Sequence, residues 1–250
     1  MRQKTIGGRA LKQNQTSSTD FKHLASKKAE KKVKTAVLVS GGGLNLQSLI
    51  DAGTFGEIPR CELTAVISSN PGAYALKRAE AAGIPGFVVD RELFPSQTVF
   101  GFAVLDKLRD LDIELVVLAG FECELTQPIF KHYGGRIIDT RPSLMPAFTD
   151  EELSGLAIQE AQLKCGVKIS GATAYFATEK PNSGPIILQK AVVVREDDAP
   201  ATLQRRILEE AENVILPRAV ALYCAGKLSV ANGTVHIAEP TENSSEKMTK

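Results

Sequence analysis

The chain has no long hydrophobic run and few of the residues that build metal sites and disulfide frameworks. Its apolar runs, such as 35–40 and 115–120, are about six residues long, whereas a membrane-spanning helix needs roughly 20. The four cysteines are scattered, with no C-x-x-C pair and no histidine nearby, so neither a zinc site nor a disulfide framework is predicted. We therefore expect no bound metal, no membrane association and a reducing, cytoplasmic environment.

The formal net charge of +1 hides an uneven distribution of charge along the chain. Residues 1–34 carry ten Lys and Arg against two acidic residues, while the remainder carries twenty against twenty-seven. The acidic body argues against nucleic-acid binding, although the basic segment could make weak, salt-sensitive phosphate contacts. That segment has too few large apolar side chains to offset the entropy of ordering, so it is predicted to be a disordered tail. A transit peptide is a weaker alternative, because no clear amphipathic stripe is visible.

From residue 35 onward, short β-rich runs alternate with helical stretches. The 250 residues, 43% of them hydrophobic, suffice for one α/β domain with a buried core. Strands that alternate with helices predict a parallel sheet joined by crossover helices. The β-rich runs that alternate with helical stretches are 35–40, 62–69, 86–90 and 114–120.

Three later runs predict strands that follow one another without clear helices between them. They are 135–141, 169–178 and 186–195, and they suggest an antiparallel C-terminal extension. One final helix is predicted over 199–225, before Gly226. The expected fold is therefore a Rossmann-like, mostly parallel twisted sheet with helices on both faces. The predicted domain spans 35–230, and 231–250 is predicted to be a polar tail.

Three glycines follow the first predicted strand, in the segment S-G-G-G-L-N-L-Q at 40–47. Backbone N–H groups and the start of the next helix would point there at one place, which suits an anion. Glycine would permit positive φ and let a phosphate approach the backbone. The segment is not a P-loop, since it has no G-K-[ST], and it lacks the G-x-G-x-x-G spacing. By itself it fits a tight turn without a ligand equally well.

The resemblance to a known family becomes specific when several segments are taken together in order. They are VLVSGGGLNLQSLID (37–51), VVLAGFE (116–122), RIIDTRPSLMP (136–146), SGPIILQ (183–189) and LQRRILEEAENVILPRAV (203–220). This set resembles the phosphoribosylglycinamide formyltransferase family, whose members move a formyl group from 10-formyltetrahydrofolate to glycinamide ribonucleotide in purine synthesis. The resemblance covers residues 35–230. It implies a nucleotide-phosphate site in the N-terminal half and a contribution to the folate site from the C-terminal half.

The resemblance also implies which residues bind the two substrates. Phosphate- and substrate-binding positions would be Gly42, Gly43, Leu44, Asn45, Gln159 and Glu212. Leu44 stands where the family has Ser or Thr, which removes one hydroxyl contact, and Gln159 stands where relatives have His. The pterin ring would lie near Cys123, Glu124 and Leu125 and near a later loop at 177–182. Glu124 is charged where relatives are apolar, and burying an unpaired carboxylate against a flat ring would be costly.

The largest departures fall on the family's catalytic positions. The family motif at 139–146 reads Asn-x-His-Pro-Ser-Leu-x-Pro, and an Asp in the later loop completes it. In that chemistry the Asn amide stabilises the oxyanion and the His, oriented by the Asp, moves protons. Here the positions hold Asp139, Arg141 and Asn182. An ionised Asp139 would repel the developing oxyanion, and Arg141 cannot exchange protons near pH 7 as a histidine can.

Three interpretations of this altered set remain open. Asp139 and Arg141 could pair with each other across a disused site, since residues two apart on a strand share a face. Alternatively, Arg141 could clamp an anion while Asp139 acts as a base, or ordinary formyl transfer could survive by rearrangement. Three functions are accordingly considered. The first is an altered homologue that keeps a pocket for a phosphorylated small molecule, and the alternatives are a working folate-dependent formyltransferase and a non-catalytic binding or scaffolding protein. A monomer or a homodimer is expected.

Overall fold

A seven-stranded sheet forms the centre of the protein, for which a computed structural model describes residues 31–150 and 152–238. The strands lie in the order β3-β2-β1-β4-β5-β6-β7, and the first five are parallel whereas β6 and β7 are antiparallel. The strands are β1 (Val33–Val39), β2 (Cys61–Ser68), β3 (Gly86–Val88), β4 (Leu115–Leu118), β5 (Ile137–Arg141), β6 (Ile169–Phe176) and β7 (Ile186–Val193). The predicted parallel sheet with an antiparallel extension is confirmed.

Helices cover both faces of this sheet, as predicted. They are α1 (Leu44–Thr54), α2 (Tyr74–Ala81), α3 (Gln97–Asp110), α4 (Gln127–Tyr133), α5 (Ala157–Lys164), α6 (Pro200–Ile207) and α7 (Asn213–Cys224). Successive residues of a strand point to opposite faces, so Val37 belongs to the core on the side of α1, α2, α6 and α7, while Leu38 belongs to the core on the side of α3 and α4. Both side chains are fully buried. The continuous apolar run of β1 therefore reflects burial on two sides.

The strand order places the start of the site at a topological switch point. β1 lies between β2 and β4. From β1 the chain continues to β2 and β3 on one side of the sheet, and it then returns to β4 and β5 on the other side. Ligands of open α/β sheets bind in the crevice at the carboxyl ends of such strands. At this edge the hydroxyl of Ser40 hydrogen-bonds the hydroxyl of Ser69 at 2.6 Å and accepts from the N–H of Glu122 at 2.9 Å. Ser40 thus ties together the loops that follow β1, β2 and β4.

The C-terminal helix is not one continuous α-helix. A π turn at Leu208–Glu212 separates α6 from α7, and the N–H of Asn213 bonds the carbonyl of Leu208, five residues back. Pro217 lies within α7 and has no N–H to donate to the carbonyl of Asn213. Such π turns occur frequently at functional sites. Here the turn buries Glu212, which the resemblance assigns to the substrate site.

A small antiparallel hairpin corrects the predicted boundaries of the domain. Its strands are β8 (Leu228–Ala231) and β9 (Thr234–Ile237). Asn232 and Gly233 both have positive φ, at 52° and 76°, as the two central residues of a type I′ turn require. The prediction of a polar tail from residue 231 therefore needs correction for residues 231–238. β1 likewise begins two residues before the predicted start of the domain at residue 35.

Most of the two predicted tails, including the basic segment, lies outside the described residues. Within the described part of the chain, no helix combines the length and the apolar character needed to cross a membrane.

Candidate functional site

The glycine turn after β1 combines close packing on one side with open space on the other. Gly43 has φ of +72°, and a Cβ placed there would lie 2.7 Å from the Cβ of Ala75 in α2. At Gly41 and Gly42, a Cβ would meet no atom within 4 Å. In residues 31–150 and 152–238, no side chain caps the N-terminus of α1, so its first backbone N–H groups have no side-chain partner from this part of the chain. The turn therefore offers open backbone donors of the kind that bind phosphate.

Residues from both halves of α2 hold this turn in place. The N–H of Ala75 donates to the carbonyl of Gly41 at 3.1 Å, and Nε of Arg78 donates to the carbonyl of Gly42 at 2.8 Å. Arg78 also donates from Nη1 to the side chain of Gln47 in α1 at 3.0 Å. With its carbonyl oxygens bound on this side, the turn presents a fixed backbone. Leu44, the first residue of α1, leaves 51% of its surface exposed.

We expect Gly43→Ala to lower the free energy of unfolding by about 2–4 kcal/mol, because the new methyl group combines a left-handed backbone with a steric clash. Gly56→Ala is the matched control, since Gly56 has φ of +75° but a Cβ there would meet nothing within 4 Å. The control isolates the backbone strain, about 1 kcal/mol. Urea unfolding of both variants measures the difference. Equal losses in the two variants would show that packing against α2 does not constrain the turn.

The predicted folate-binding loop follows β4 and joins the glycine turn through Ser40. Cys123 and Leu125 are half-buried and pack against the core formed with α3 and α4. Glu124 is exposed, and its backbone carbonyl accepts a hydrogen bond from Gln97. Glu124 is thus exposed to solvent here, and the expected cost of burying its carboxylate against a pterin ring stays a prediction.

Within the described part of the chain, Arg141 does not pair with Asp139 and instead hydrogen-bonds the loop that follows β5. Its Nε donates to the carbonyl of Phe148 at 2.9 Å, and its Nη2 donates to the carbonyls of Asp150 and Leu153 at 3.2 and 3.1 Å. The residue is 7% exposed, and burial lowers its pKa. No ion pair within 4 Å joins it to Asp139 among the described residues. The predicted ion pair with Asp139 is therefore absent from the described residues, the anion clamp stays a prediction, and Arg141 anchors the loop after Pro146.

Asp139 forms a polar unit with Tyr175 on the adjacent strand. Tyr175 lies opposite Asp139 in the β5–β6 pairing, and its hydroxyl donates to Oδ2 of Asp139 at 2.7 Å. Oδ1 accepts from the backbone N–H of Thr140 at 2.8 Å. Burial raises the pKa of Asp139 to about 6, against the hydrogen bonds that lower it. Burial and the neighbouring carboxylate also raise the pKa of Tyr175. At neutral pH the pair is therefore a carboxylate held by a phenol.

Asn182 closes one side of this unit. It adopts φ of +52°, which asparagine tolerates better than most residues. Its Nδ2 donates to the carbonyl of Thr149 at 3.3 Å, and its Oδ1 lies 3.4 Å from the hydroxyl of Tyr175. Next to it is a cavity of about 490 Å³ whose walls include Met145 and Lys180. Cys123, Glu124 and Leu125 do not line this cavity, so the structure does not bring the two predicted folate loops together around it.

Glu212 links the glycine turn to β5. It is 7% exposed, and it is hydrogen-bonded by the side chains of Thr140 and Asn45. The pKa of Glu212 is raised to about 7, first by burial and also by the charge of Asp139, against the two hydrogen bonds, which lower it. No group of the described residues hydrogen-bonds Oδ1 of Asn45, which agrees with the amide directing its Nδ2 toward Glu212. The predicted positions Asn45, Asp139 and Glu212 thus lie together.

Gln159 does not belong to this group. It is completely buried, and its Nε2 donates to the carbonyl of Pro142 at 3.3 Å. Gln162 donates to the same carbonyl at 3.1 Å. Gln159 therefore supports the backbone behind the motif, and its prediction as a substrate-binding residue needs correction, because a side chain without exposed surface cannot contact a ligand in this structure.

Two site residues were not predicted from the sequence, Thr140 and Tyr175. Both owe their place to the antiparallel pairing of β5 with β6. The sequence indicates that both strands exist, but the register between them depends on contacts far apart along the chain. Tyr175 lies within a run of strand-forming residues, so nothing local distinguishes it from a core aromatic residue. Its partner Asp139, a carboxylate inside a strand, was the one available signal.

The fold and the site together define the class of this protein. A Rossmann-like sheet carries an open backbone turn after β1 and a buried polar cluster at the end of β5, which is the arrangement of α/β proteins that bind small molecules at a switch point. A sequence profile described as formyl transferase matches residues 33–220. The chain therefore belongs to the formyl transferase family, and the resemblance stated from its motifs is confirmed.

Individual relatives agree with this assignment. The chain is 33% identical over 204 residues to a phosphoribosylglycinamide formyltransferase of Haemophilus influenzae, covering 82% of this chain and 93% of that protein. A crystal structure of glycinamide ribonucleotide transformylase 1 from Symbiobacterium toebii superposes with a TM-score of 0.78 at 38% identity, covering 83% of this chain and 95% of that one. The chain is also 37% identical over 221 residues, 88% of its length, to the trifunctional purine biosynthetic protein adenosine-3 of Gallus gallus. It spans 21% of that longer protein.

Proposed function

We propose that this chain is an altered phosphoribosylglycinamide formyltransferase homologue that binds a phosphorylated small molecule at the glycine turn and transfers formyl groups far more slowly than the ordinary family chemistry allows. The observation that carries this proposal is the arrangement of Arg141, whose guanidinium is bound to three loop carbonyls. In the family pattern this position holds the histidine that moves protons. A buried guanidinium engaged in this way cannot exchange a proton near neutral pH.

The retained phosphate site rests on the geometry of the glycine turn. Gly41 and Gly42 are open to an approaching group, and α1 begins immediately after Gly43 without a side-chain cap. Backbone donors and the positive end of the helix dipole stabilise an anion there. The exposed Leu44 removes the hydroxyl that the family pattern supplies but leaves the backbone donors in place.

The loss of the transfer step rests on Asp139 as well as on Arg141. With a pKa of about 6, Asp139 is mostly ionised at pH 7, so its charge would oppose an oxyanion growing on the formyl oxygen. Tyr175 donates its only hydroxyl proton to Asp139, so it does not replace the missing amide donor. Asn182 carries no charge with which to orient a general base. Removing one oxyanion donor typically lowers the rate about 100- to 1000-fold.

The residues present fit a folate formyl donor only in part. The cavity beside Asn182, about 490 Å³, falls within the usual range of small-molecule sites, and a bound donor would supply the formyl group there. The loop residues Cys123 and Leu125 offer apolar surface, but they do not line the same cavity. Use of 10-formyltetrahydrofolate therefore remains part of the proposal. A cytoplasmic location and a monomeric or homodimeric state also stay predictions.

Two measurements test the proposal. We expect steady-state assays with glycinamide ribonucleotide and 10-formyltetrahydrofolate to give turnover at least about 100-fold below that of the Haemophilus influenzae relative, and calorimetry to detect binding of ribose 5-phosphate. Turnover equal to that of the relative would support a working formyltransferase instead. An absence of binding of both glycinamide ribonucleotide and ribose 5-phosphate would favour a scaffolding protein.

A further inference from the structure

A second cavity lies between α1 and α2 and takes no part in the proposed function. It encloses about 680 Å³, which is larger than the cavity beside Asn182 and within the usual range of small-molecule sites. Its walls come from α1, α2 and the first residues of β2. Asp139, Asn182 and Glu212 do not line it, so it is separate from the polar cluster around β5.

Small residues on both helices leave this space open. Gly53, near the end of α1, has no side chain, and Ala81, the last residue of α2, contributes only a methyl group. Larger side chains at these positions would occupy the groove between the helices. The walls also include Ile50 and Ile58, which are buried. Part of the cavity surface is therefore apolar and suits the body of an organic molecule.

The charged residues of this cavity are mostly cations. They are Lys32, Lys77 and Arg78, and the one carboxylate among its described walls belongs to Glu62. None of these four residues takes part in an ion pair within the described part of the chain. From residue 35 onward the chain carries more acids than bases, so the charge of the cavity is opposite in sign to that of the body around it. Such a local excess of cations attracts anions.

Arg78 is the cation whose position is best defined. Its Nε donates to the carbonyl of Gly42 at 2.8 Å, its Nη1 donates to the side chain of Gln47 at 3.0 Å, and its Cζ lies 5.1 Å from the centre of the Tyr74 ring. These contacts fix the direction of the guanidinium. In residues 31–150 and 152–238, no hydrogen bond engages its Nη2. A half-buried guanidinium held only by neutral groups favours an anion at its remaining N–H donors.

We propose that the cavity between α1 and α2 binds a small organic anion with an apolar body. The carboxylate or phosphate of this ligand binds Lys77 and Nη2 of Arg78 through charge-assisted hydrogen bonds, and its apolar body packs against Ile50 and Ile58. Because Arg78 also holds the carbonyl of Gly42, the bound anion is connected to the glycine turn through one side chain. The inference does not depend on the proposed function, since the ligand does not use the phosphate site.

The test compares two probes that share one ring system, the carboxylate 2-naphthoate and the uncharged 2-naphthalenemethanol. Titrations of the full chain are followed through its backbone amide NMR signals at neutral pH. We expect 2-naphthoate to bind about tenfold or more tightly than the alcohol, and we expect this advantage to shrink as added salt screens the cations. The amide signals of Gly53, Leu63 and Ala82, which line the cavity, should shift, whereas those of β7 should not.

A lysine variant tests the role of charge. Lys77→Gln is expected to lower the affinity for 2-naphthoate about threefold or more and to leave the affinity for the alcohol unchanged, because it removes one exposed cation. Lys107→Gln is the matched control. Lys107 lies over the ring of Phe87 at 5.0 Å, much as Lys77 lies over the ring of Tyr74 at 5.9 Å, but it does not line the cavity. Equal effects of the two substitutions would contradict the inference.

A second pair of variants tests the cavity itself. Ala81→Phe fills the groove and should abolish binding of both probes, whereas Glu80→Phe, at an exposed neighbouring position outside the cavity, should not. Equal affinities for the two probes would overturn the inference, as would an absence of 2-naphthoate binding at millimolar concentration. Displacement of 2-naphthoate by ribose 5-phosphate would also overturn it, because the probe would then lie at the glycine turn. Binding of ribose 5-phosphate alone tests the proposed function, so the two failures are distinguishable.

Discussion

A chain carrying Asp139→Asn, Arg141→His and Asn182→Asp together is expected to transfer formyl groups about 100- to 1000-fold faster than the unmodified protein. Asparagine at 139 would present an amide N–H to the developing oxyanion in place of a repelling carboxylate. Histidine at 141 would supply a group that titrates near neutral pH, and aspartate at 182 could orient it. Aspartate tolerates the left-handed backbone that Asn182 adopts, with φ of +52°.

Initial rates with glycinamide ribonucleotide and 10-formyltetrahydrofolate measure this gain. Each single variant serves as a control, because groups that act as a unit are not additive and one restored residue should recover little. Ribose 5-phosphate affinity shows whether the triple variant keeps the phosphate site. A triple variant that binds ribose 5-phosphate normally but gains less than about tenfold in rate would contradict the idea that these three positions limit the reaction.

Arg141→Lys is expected to lower the free energy of unfolding by about 3 kcal/mol or more, although it preserves the charge. A lysine has one nitrogen at the end of a flexible chain, so it cannot reach the carbonyls of Phe148, Asp150 and Leu153 at once. Some of these carbonyls would then lack a hydrogen-bond donor, and the buried ammonium group would have too few acceptors. Amide exchange in the loop after Pro146 should accelerate more than exchange in β4, because the loss is local.

Arg205→Lys is the control for this change, because the side chain of Arg205 is 74% exposed and its ion pair among the described residues is a distant one, with Glu209 at 3.9 Å. Exposed substitutions of this kind usually change stability by about 0.5 kcal/mol or less. Urea unfolding of the two variants gives the comparison. If Arg141→Lys lost no more stability than the control, the three hydrogen bonds of Arg141 would not be what holds the loop.

The sheet could be predicted from the sequence because its strands leave local signals. The run at 35–40, for example, is apolar without alternation, as expected of a strand buried on both faces, and it coincides with β1. The glycine turn was predictable for the same reason, since strand, glycines and helix are adjacent along the chain. The turn at Asn232 and Gly233 was equally local, and this Asn-Gly pair could have indicated the hairpin.

The chemistry of the site was harder to predict, because it depends on contacts between distant segments. Because Asp139 and Arg141 occupy alternate positions of β5, the sequence suggested an ion pair. In the structure the guanidinium of Arg141 instead donates to three carbonyls of the following loop. Its direction depends on the path of that loop, which no local pattern specifies. The partner of Asp139, Tyr175, lies 36 residues away. The buried position of Gln159 likewise follows from the packing of α5 behind Pro142.

Because of the π turn before α7, the direction of the Glu212 side chain depends on the number of residues in this helix. Each residue advances an α-helix by about 100° around its axis. Deleting one residue between Leu208 and Glu212 would therefore restore a regular α-helix, and it would rotate either Glu212 or the whole of α7 away from its present direction. Substitutions on the exposed side of this helix leave the direction of Glu212 unchanged, whereas a change in its length does not. The number of residues before Glu212 thereby keeps the acid beside Thr140 and Asn45, independently of which chemistry the neighbouring positions retain.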